Sequence, residues 1–464
     1  MFARRPLRLV SACVIALSLL TGCVTSLAPL RPLIGSGTAS QVAVAVQANG
    51  IKHYAWTECG GGSCQLVYQR IKFGAPIYQY AFSVAPGAQI ISPDVAVTAD
   101  GRAFVTRVVC QDGICTDYYS IFPADANDTT VIVSQTLATP AGNSASGPKL
   151  KARDNIVYAV YFVETPGPAR MRYRQLSGGT SGGYVELRGD MRPAAPSMAI
   201  GSDGVLHVTW AARKIGSSET AYGNNNGTSG DFISTVSYDY DGDYNFRGRD
   251  IALDPNNTPY IVYAFDAGAY DIVRIHCEAP VTACFGEIGT RTIPLDPARN
   301  PWRLRGGPHI QLLSWSPAVV FSANNSATGN NEIWYYTPPS SGVDPGPTRV
   351  TNNAVHDEEP QIVVERSNFG DVPVVAWRTY EILTLSGISV ECQRDAYTFY
   401  FDQTTARQVF TSTGGCYNPA QDLAANGRWV AGVWLDRLDS GDDSPLVPWT
   451  LFNANTTYAP ITAK

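Results

Sequence analysis

Short runs of alternating apolar and polar residues, each interrupted by a turn, follow one another along most of this chain. Val42 to Val46 and His53 to Trp56 flank Asn49-Gly50 in this way, and Pro93 to Val97 precedes Asp100-Gly101. A side-chain period of two predicts half-buried β-strands. No long stretch has the period of an amphipathic helix, so the pattern predicts an all-β chain of hairpins.

The hairpin recurs about every 50 residues, which is the spacing of a solenoid or propeller repeat. Aligned on the end of the second strand, the repeats reach Trp56, Arg107, Tyr161, Trp210, Ala264, Ser322, Trp377 and Trp434. The Asn-Gly and Asp-Gly pairs predict two-residue type I′ turns, in which both central residues have positive φ. Most repeats continue with an aromatic third strand, such as Gln65 to Tyr68, and leave room for a fourth, such as Tyr78 to Val84.

Four antiparallel strands in each repeat predict a β-propeller. Eight repeats give eight blades, and seven is the alternative if the degenerate fifth or sixth repeat is not a blade. The last repeat, Pro419 to Phe452, supplies three strands, so residues 25–40 or 456–461 are expected to complete it. Residues 211–231, rich in Gly, Ser and Asn, are expected to form the longest loop between a second and a third strand, ahead of a third strand at Thr235 to Tyr238.

The best-formed repeat, Pro196 to Trp210, reads Pro-Ser-Met-Ala-Ile-Gly-Ser-Asp-Gly-Val-Leu-His-Val-Thr-Trp. It resembles the blades of the sialidase-like, or BNR-like, propeller superfamily, and the resemblance extends along nearly the whole mature chain. The resemblance implies the propeller fold but no particular activity, because propellers host many functions. The chain departs from true sialidases in lacking their Asp boxes and the Arg-Ile-Pro near their start.

The amino terminus carries a separate signal. Arg4, Arg5 and Arg8 precede an apolar run from Leu9 to Leu20, and Thr21-Gly22-Cys23 follows. The run is too short for a transmembrane helix, which needs about 20 residues, but it suits a cleaved signal. The arrangement resembles the signal peptide and lipobox of bacterial lipoproteins. An ordinary secreted protein is the alternative.

The lipoprotein resemblance implies three segments: a signal peptide at 1–22, a lipidated tether at 23–40 and a propeller domain at 41–464. Acylated Cys23 would hold the mature chain on a membrane outside the cytoplasm. Val24 favours the outer membrane in a cell that has one.

Eight cysteines remain once Cys13 leaves with the signal and Cys23 takes the lipid. They pair by proximity in sequence as Cys59 with Cys64, Cys110 with Cys115, Cys277 with Cys284, and Cys392 with Cys416. Such a set in an exported chain predicts disulfides. A structural zinc site is less favoured, since the pairs lie far apart along the chain.

The net charge of the chain limits the classes of partner that it is expected to bind. The chain has 34 basic and 40 acidic residues, a net charge of -6, and it becomes more negative when the three arginines of the signal are removed. This balance argues against nucleic acid as a partner. No motif for a cofactor, a metal or a known catalytic constellation appears, so we expect no cofactor and no metal site, and a monomer.

In a propeller, the first strand of each blade lines the central channel, and the loops that lead into first strands share a face with the loops between second and third strands. The charged residues that repeats four to seven place on this face are Arg192, Arg247, Arg249, Asp250, Arg303, Arg305, His309 and Glu359. Arginine suits carboxylate, sulfate or phosphate groups. The set therefore predicts an anion pocket, and solvated loop charges with salt bridges between blades are the alternative.

His53 and His207 occupy a slot that other repeats fill with Phe104, Tyr158 or Ile261, so both are interpreted as packing residues rather than as ligands or bases. The sequence thus favours a recognition module for glycan or protein ligands at the cell envelope. The first alternative is a hydrolase or lyase acting on acidic glycans, with Arg249, Arg303, His309 and the carboxylates near Glu359 as its machinery. The second is a scaffold for envelope assembly.

Overall fold

A computed structural model describes the chain between residues 38 and 452. The ranges outside the description within these limits are 73–74, 126, 129–130, 138–146, 164–169, 177–184, 189–193, 215–216, 226–231, 240–247, 267–270, 278–289, 294–303, 315, 325–328, 340–342, 368–369, 386–387, 401–406, 412–420, 428 and 438–445. In this part of the chain all regular structure is β-strand. None of its elements is a helix long and apolar enough to cross a membrane. The prediction of an all-β chain is confirmed for the described residues.

The strands follow one another at short intervals. They are β1 Thr38–Val46, β2 Lys52–Gly60, β3 Ser63–Lys72, β4 Ala75–Ser83, β5 Gln89–Val97, β6 Ala103–Gln111, β7 Ile114–Phe122, β8 Ile132–Thr136, β9 Lys149–Arg153, β10 Ile156–Val163, β11 Arg170–Gln175, β12 Val185–Arg188, β13 Ala194–Ile200, β14 Leu206–Lys214, β15 Ser217–Asn224, β16 Phe232–Asp239, β17 Arg249–Leu253, β18 Pro259–Asp266, β19 Asp271–Cys277, β20 Thr290–Thr292, β21 Leu304–Leu312, β22 Pro317–Asn324, β23 Asn331–Tyr336, β24 Thr348–Arg349, β25 His356–Ser367, β26 Gly370–Leu385, β27 Ile388–Tyr400, β28 Arg407–Thr411, β29 Gln421–Asn426, β30 Trp429–Arg437 and β31 Leu446–Phe452.

Consecutive strands pair antiparallel into separate sheets, numbered first to eighth in chain order. Within the described residues, β1 to β28 form seven four-stranded sheets, and β29 to β31 form a three-stranded eighth sheet. The predicted fourth strand of the first repeat is present as β4. Residues 38–40 belong to β1 of the first sheet, and the other segments expected to complete the last repeat, 25–37 and 456–461, lie outside the described residues. Successive four-stranded antiparallel sheets are consistent with a β-propeller.

The core is divided among the boundaries between neighbouring sheets. Apolar clusters join the first sheet to the second, the second to the third, and so on to the seventh and eighth. A further cluster joins the eighth sheet to the first, packing Ala431 and Val433 with Val44 and Trp56. The first strand of each sheet contacts the first strand of the next, and β29 contacts β1. The first two strands of each sheet together carry apolar side chains on both faces of that sheet. Every sheet therefore needs a neighbour on each side to bury these side chains.

In the first, second and fourth sheets, the turns between first and second strands correct the type I′ prediction. In the first sheet Gln47 N donates to Ile51 O and Gly50 N donates to Gln47 O, which leaves a three-residue loop. Gly50 has φ 83°, whereas Asn49 is not among the described residues with positive φ. The same bonds recur around Gly101 and Gly204. Such a loop is a type I turn followed by one left-handed residue.

The presence of Asn at position 49 is nevertheless explained by a hydrogen bond that its side chain makes within this turn. Its Oδ1 accepts the amide of Ile51, 3.1 Å away, and Asp203 Oδ1 accepts the amide of Val205 at 3.0 Å. An Asn or Asp side chain that binds the backbone two residues later stabilises the turn without adopting positive φ itself. Only the following glycine needs the left-handed conformation.

The predicted loop at 211–231 is wrong for most of its length. β14 continues to Lys214, and Ser217–Asn224 forms β15, the third strand of the fourth sheet. The predicted third strand, Thr235 to Tyr238, lies in the fourth strand, β16. Ala221 and Tyr222 of β15 are buried in neighbouring clusters. Pairing with β14 and this burial outweigh the weak strand propensity of the surrounding small polar residues.

Two of the predicted disulfides are confirmed, Cys59–Cys64 and Cys110–Cys115. Each joins directly opposite residues of a hairpin between a second and a third strand. Cys277 is also disulfide-bonded, and its predicted partner Cys284 lies outside the described residues. Cys416 lies outside them as well, so its pairing with Cys392 stays a prediction.

Gly50 offers a test of the contact between the first and eighth sheets. A Cβ on Gly50 would lie 2.6 Å from a ring carbon of Trp429. We expect Gly50→Ala to lower the free energy of unfolding by about 2 kcal/mol, because strain at positive φ adds to overpacking. The matched control is Gly61→Ala, with φ +61° and nothing within 4 Å, which should lose about 1 kcal/mol. Equal losses in urea denaturation would contradict the Trp429 contact.

Candidate functional site

Each first strand carries one residue at an equivalent position. In the second, fourth, sixth and seventh sheets this residue comes directly after a bulge in the pairing with the second strand. In the other four sheets, the equivalent residue is identified by the hydrogen bonds described below or by alignment of the repeats. Seven of the eight residues are polar, and we call them the inner-strand set: Asp94, Lys149, Ser197, Asp250, His309, Gln361 and Asp422. The first sheet has Ala43 instead.

Three aspartates of this set bind the next sheet in the same way. Asp94 Oδ2 accepts the amide of Leu150 at 2.8 Å, Asp250 Oδ2 accepts that of Ile310 at 3.1 Å, and Asp422 Oδ2 accepts that of Val44 at 2.8 Å. The other oxygen of each carboxylate accepts the amide of the following residue in its own strand. Hydrogen bonds to a carboxylate are stronger than neutral ones, so these side chains hold neighbouring sheets together.

Asp250 also binds two side chains of the inner-strand set. Ser197 Oγ donates to its Oδ1 over 2.5 Å, and His309 Nδ1 lies 3.5 Å from its Oδ2. Burial alone would raise the pKa of Asp250, but the bonds from His309, Ser197 and the Ile310 amide hold that pKa below its ordinary value. The His309 side chain is 38% exposed, so the carboxylate orients an imidazole that remains partly accessible.

This arrangement is not a serine-hydrolase relay. In that relay the histidine lies between serine and carboxylate and removes the proton of the serine hydroxyl. Asp250 lies between Ser197 and His309 and accepts the hydroxyl proton of Ser197 in a hydrogen bond. Ser197 is therefore not activated as a nucleophile, and the chemistry of the cluster rests with His309.

A second part of the inner-strand set is acidic. Burial raises the pKa of Asp422 to about 6, and the charge of Asp94 adds to the rise, while the Val44 amide and Lys149 oppose it. Ala43 of the first sheet separates Asp94 from Asp422 along the row of first strands, and its methyl group places no charge between them. Lys149 is exposed and is the basic residue that lowers this pKa.

The bulges beside the set bring the backbones of neighbouring sheets into contact. Ser92 and Glu359 have φ 53° and 51° although they are not glycine. A Cβ on Gly248 would lie 2.0 Å from Gly307 O, and one on Gly306 would lie 2.8 Å from Glu359 N. Strained backbone of this kind is often found at functional sites.

A group of charged side chains is buried in the sixth and seventh sheets, whose strands contact one another. Glu332 and Asp357 are fully buried and Arg378 is 2% exposed. Arg349 pairs with Glu332, and Arg378 pairs with Glu359. Burial raises the pKa of Asp357 to about 7, and nearby Glu332 contributes, against the bonds from Thr351, Asn353 and Trp377. A buried carboxyl with a strongly shifted pKa marks a candidate functional region.

The predicted anion pocket is described only in part. Arg192, Arg247 and Arg303 lie outside the described residues, and only the backbone of Arg305, in β21, is described. Arg249 Nε donates to Thr220 Oγ1 over 2.7 Å. The structure brings Asp250 and His309 together and pairs Glu359 with Arg378. Convergence of the arginines stays a prediction.

The inner-strand set as a group was not predicted from the sequence. Asp94, Lys149 and Ser197 were not considered as site residues, although each follows a proline in the repeat. That shared position, read across all repeats rather than within one, is the signal that could have found them. Arg378 and Glu332 left no such signal, because their partners come from other strands.

His53 and His207 are packing residues, as predicted. They are 1% and 5% exposed, and each Nδ1 bonds a tyrosine hydroxyl, that of Tyr68 at 2.7 Å and that of Tyr222 at 2.6 Å. Burial lowers the pKa of His53 to about 3 and that of His207 to about 4. Both rings are therefore neutral at physiological pH. The described residues contain no group of three or more His, Cys, Asp or Glu that could hold a metal ion.

Comparison with known proteins finds similarity at the level of structure. No family model matches this sequence, and no curated protein matches it. The polysaccharide lyase Uly1 is 8% identical, with 89% of this chain and 90% of that chain covered and a TM-score of 0.48. Prolyl oligopeptidase B from Galerina marginata is 12% identical, with 86% and 55% covered and a TM-score of 0.47.

A neuraminidase-like protein from A/bat/Guatemala is 10% identical, with 68% of this chain and 93% of that chain covered and a TM-score of 0.37. At these identities and TM-scores, the similarities identify neither a family nor a ligand for this chain.

Proposed function

We propose that this protein is a lipid-anchored, eight-bladed β-propeller that binds a glycan outside the cytoplasm, at the inner-strand set and on the adjacent face of the fifth to seventh sheets. The observation that carries the binding proposal is the inner-strand set itself. The set places hydrogen-bond donors and acceptors at equivalent positions of the first strands rather than on loops.

Eight blades in a closed ring are supported by the contacts of the eighth sheet with the first. These are the shared apolar cluster of β1, β2 and β30, the bond from the Val44 amide to Asp422, and the bond from Asn426 Nδ2 to Val46 O at 3.1 Å. The Asp422 bond repeats those made by Asp94 and Asp250 between consecutive sheets. On this proposal the inner-strand set lines a central channel.

A glycan suits the chemistry of the set. Its carboxylates accept hydrogen bonds, Lys149 donates them, and Ser197, His309 and Gln361 can do both. Sugar hydroxyls likewise donate and accept. The three carboxylates of the set outnumber its one lysine, which favours a neutral or amine-bearing glycan over a polyanion. An acidic glycan would depend on Arg192, Arg247 and Arg303.

His309 provides the test. We expect the full-length protein, solubilised in detergent, to bind a subset of a neutral-oligosaccharide array, and His309→Ala to weaken that binding by about tenfold through loss of a hydrogen bond near a partly desolvated ligand. Arg102→Ala is the control, since Arg102 lies at the turn between first and second strands, at the other end of the second sheet. Equal binding by wild type and His309→Ala would overturn this site.

A second candidate, a hydrolase or lyase, is favoured by one observation. Asp250 orients His309 as a carboxylate orients a general base or acid. Product analysis after incubation with array-positive oligosaccharides separates the two candidates. Cleaved or unsaturated products that disappear in His309→Ala would establish the enzyme, whereas intact oligosaccharide supports the binding module.

The lipid anchor is a proposal supported by residues 1–23. We expect wild-type protein to sediment with membranes, and Cys23→Ser to move to the soluble fraction, because a serine cannot carry the thioether-linked lipid. Mass spectrometry of the amino-terminal peptide checks the modification directly. An unmodified Cys23, or membrane association retained by the variant, would contradict the anchor.

A further inference from the structure

The fourth strand of the first sheet, β4, lies at the end of that sheet. Among the described strands it pairs with β3 alone. It has nine residues, Ala75–Ser83, and none of them is charged. Ile77 on this strand is 38% exposed. A long, uncharged strand at the edge of a sheet is a template for pairing with a further strand.

The fourth strands of the other described sheets are protected against such pairing. In the second sheet β8 is uncharged but has only five residues. Those of the third to seventh sheets carry charged residues, which are Glu186, Arg188, Asp239, Arg291, Arg349 and Arg407. Short length and charge both discourage pairing between edges. β4 is interrupted only at its start, by Pro76 and a bulge opposite Arg70 and Ile71.

The pairing of β4 with β3 decides which backbone groups face the open side. The register is regular from Tyr78 to Ser83, and directly beyond it Val84 N donates to Cys64 O at 3.1 Å. In an antiparallel pair, residues that bond the neighbouring strand alternate with residues whose backbone groups point away from it. Counting back from Val84, the amide and carbonyl groups of Ala81 and Ser83 point to the open side. Both residues are exposed.

The regular part of β4 is complementary to itself. When a second copy approaches antiparallel with the two-fold axis at Ala81, Tyr80 lies opposite Phe82 of that copy, and Gln79 lies opposite its Ser83. Aromatic residues then meet on one face of the sheet, and small or polar residues meet on the other, with no like charges opposed. An axis at Gln79 would instead bring the bulge into the pairing.

The aromatic side chains of β4 are already positioned by the second sheet. The ring centroids of Tyr80 and Phe122 lie 5.5 Å apart in an edge-on arrangement, and the guanidinium carbon of Arg107 lies 3.8 Å from the centroid of the Phe82 ring. Tyr80 and Phe82 are nevertheless only half-buried. Because their side chains are ordered in the single copy, pairing with a second copy costs little further side-chain entropy.

We propose that two copies of this protein form a symmetric dimer in which their β4 strands pair antiparallel about Ala81. The two first sheets, of four strands each, then continue into one another. This proposal goes beyond the proposed function and departs from the monomer expected from the sequence. Two paired strands form a small interface, so the association is reversible and depends on protein concentration.

Cysteine cross-linking of the full-length protein in membranes tests both the edge and the register. Directly opposite, hydrogen-bonded residues have Cα atoms about 5.5 Å apart, a distance that a disulfide spans. Ala81→Cys is therefore expected to give covalent homodimers on copper-catalysed air oxidation. Ile77→Cys is the matched control, because it is exposed on the same strand but the axis at Ala81 separates its two copies by about 27 Å. Equal yields of dimer from the two variants, or dimer from neither, overturn the proposal.

Sedimentation of the detergent-solubilised protein over a range of concentrations is the second measurement. Ala81→Lys places two like charges opposite each other and should raise the dissociation constant of the dimer roughly tenfold. Gln111→Lys, exposed at the end of β6, is the control and should behave as wild type.

The outcomes do not depend on any glycan, so failure of the dimer and failure of the proposed function are distinguishable. Wild type that is monomeric at every concentration overturns the proposal, and so does a dimer that Ala81→Lys leaves unchanged. Cross-linking of Ala81→Cys to a different protein, with no homodimer, also overturns it and assigns the edge to a strand from another chain.

Discussion

Replacing Asp422 by alanine is expected to lower the free energy of unfolding by about 4 kcal/mol, since two backbone amides lose a charged acceptor. The amides are those of Val44 in the first sheet and Leu423 in the eighth. The bond to Val44 spans 378 positions of the chain, so the loss falls on the junction between the first and last sheets. Urea denaturation measures the stability, and hydrogen exchange at the Val44 amide locates the effect.

Two companion variants calibrate this expectation. Asp422→Asn keeps one acceptor oxygen and should lose about half as much, because an amide can satisfy only one of the two backbone groups. Asp371→Ala, which removes a carboxylate bonded to the exposed Ser314, should change stability by less than about 0.5 kcal/mol. An Asp422→Ala protein with wild-type stability and unchanged exchange at Val44 would remove the main support for a closed ring.

Raising the pH from 4 to 7 is expected to lower the stability of wild type by about 3 kcal/mol relative to Asp357→Asn, at about 1.4 kcal/mol for each unit of pKa shift and with the carboxyl only partly titrated at each end of this range. Burial raises the pKa of Asp357 from 3.8 to about 7 in the folded protein. Between these values the folded state holds a proton that the unfolded state has released. The stabilisation is therefore fully present below pH 3.8 and is lost as the pH rises to 7.

The comparison between variants isolates Asp357 from other groups. Burial also raises the pKa of Asp422, to about 6, so wild type and Asp357→Asn share that contribution and it cancels in their difference. Urea denaturation at several pH values gives the two curves. Parallel curves from pH 4 to pH 8 would mean that the pKa of Asp357 is not raised in the folded protein and would contradict this prediction.

The repeat was predictable because its signals are local. Alternation with a period of two and a turn glycine at Gly50, Gly101 or Gly204 recur within each hairpin, and the structure has strands and turns at these places. The burial of His53 and His207 could also be predicted, since other repeats place largely apolar side chains in that slot. The disulfides Cys59–Cys64 and Cys110–Cys115 follow from the same local reasoning.

The errors arose where a local signal had two physical explanations. Asn49-Gly50 fits a type I′ turn, but Asn49 is used to accept the Ile51 amide, and the loop is one residue longer. Residues 217–224 have the composition of a loop, yet they form a strand because β14 supplies a partner and neighbouring sheets bury Ala221 and Tyr222. Composition describes what a segment tolerates, whereas pairing and burial decide what it forms.

The sequence by itself determined the strands, their grouping into repeats and the packing role of two histidines, because these depend on neighbours within a few dozen residues. The tertiary structure decided the rest. It alone assigns Asp94, Asp250 and Asp422 to the amides of the next sheet, orients His309 by Asp250, and bonds Thr351 to Glu332. These contacts join residues from different strands or different sheets, and no local periodicity encodes which distant backbone amide or carboxyl group a side chain will meet.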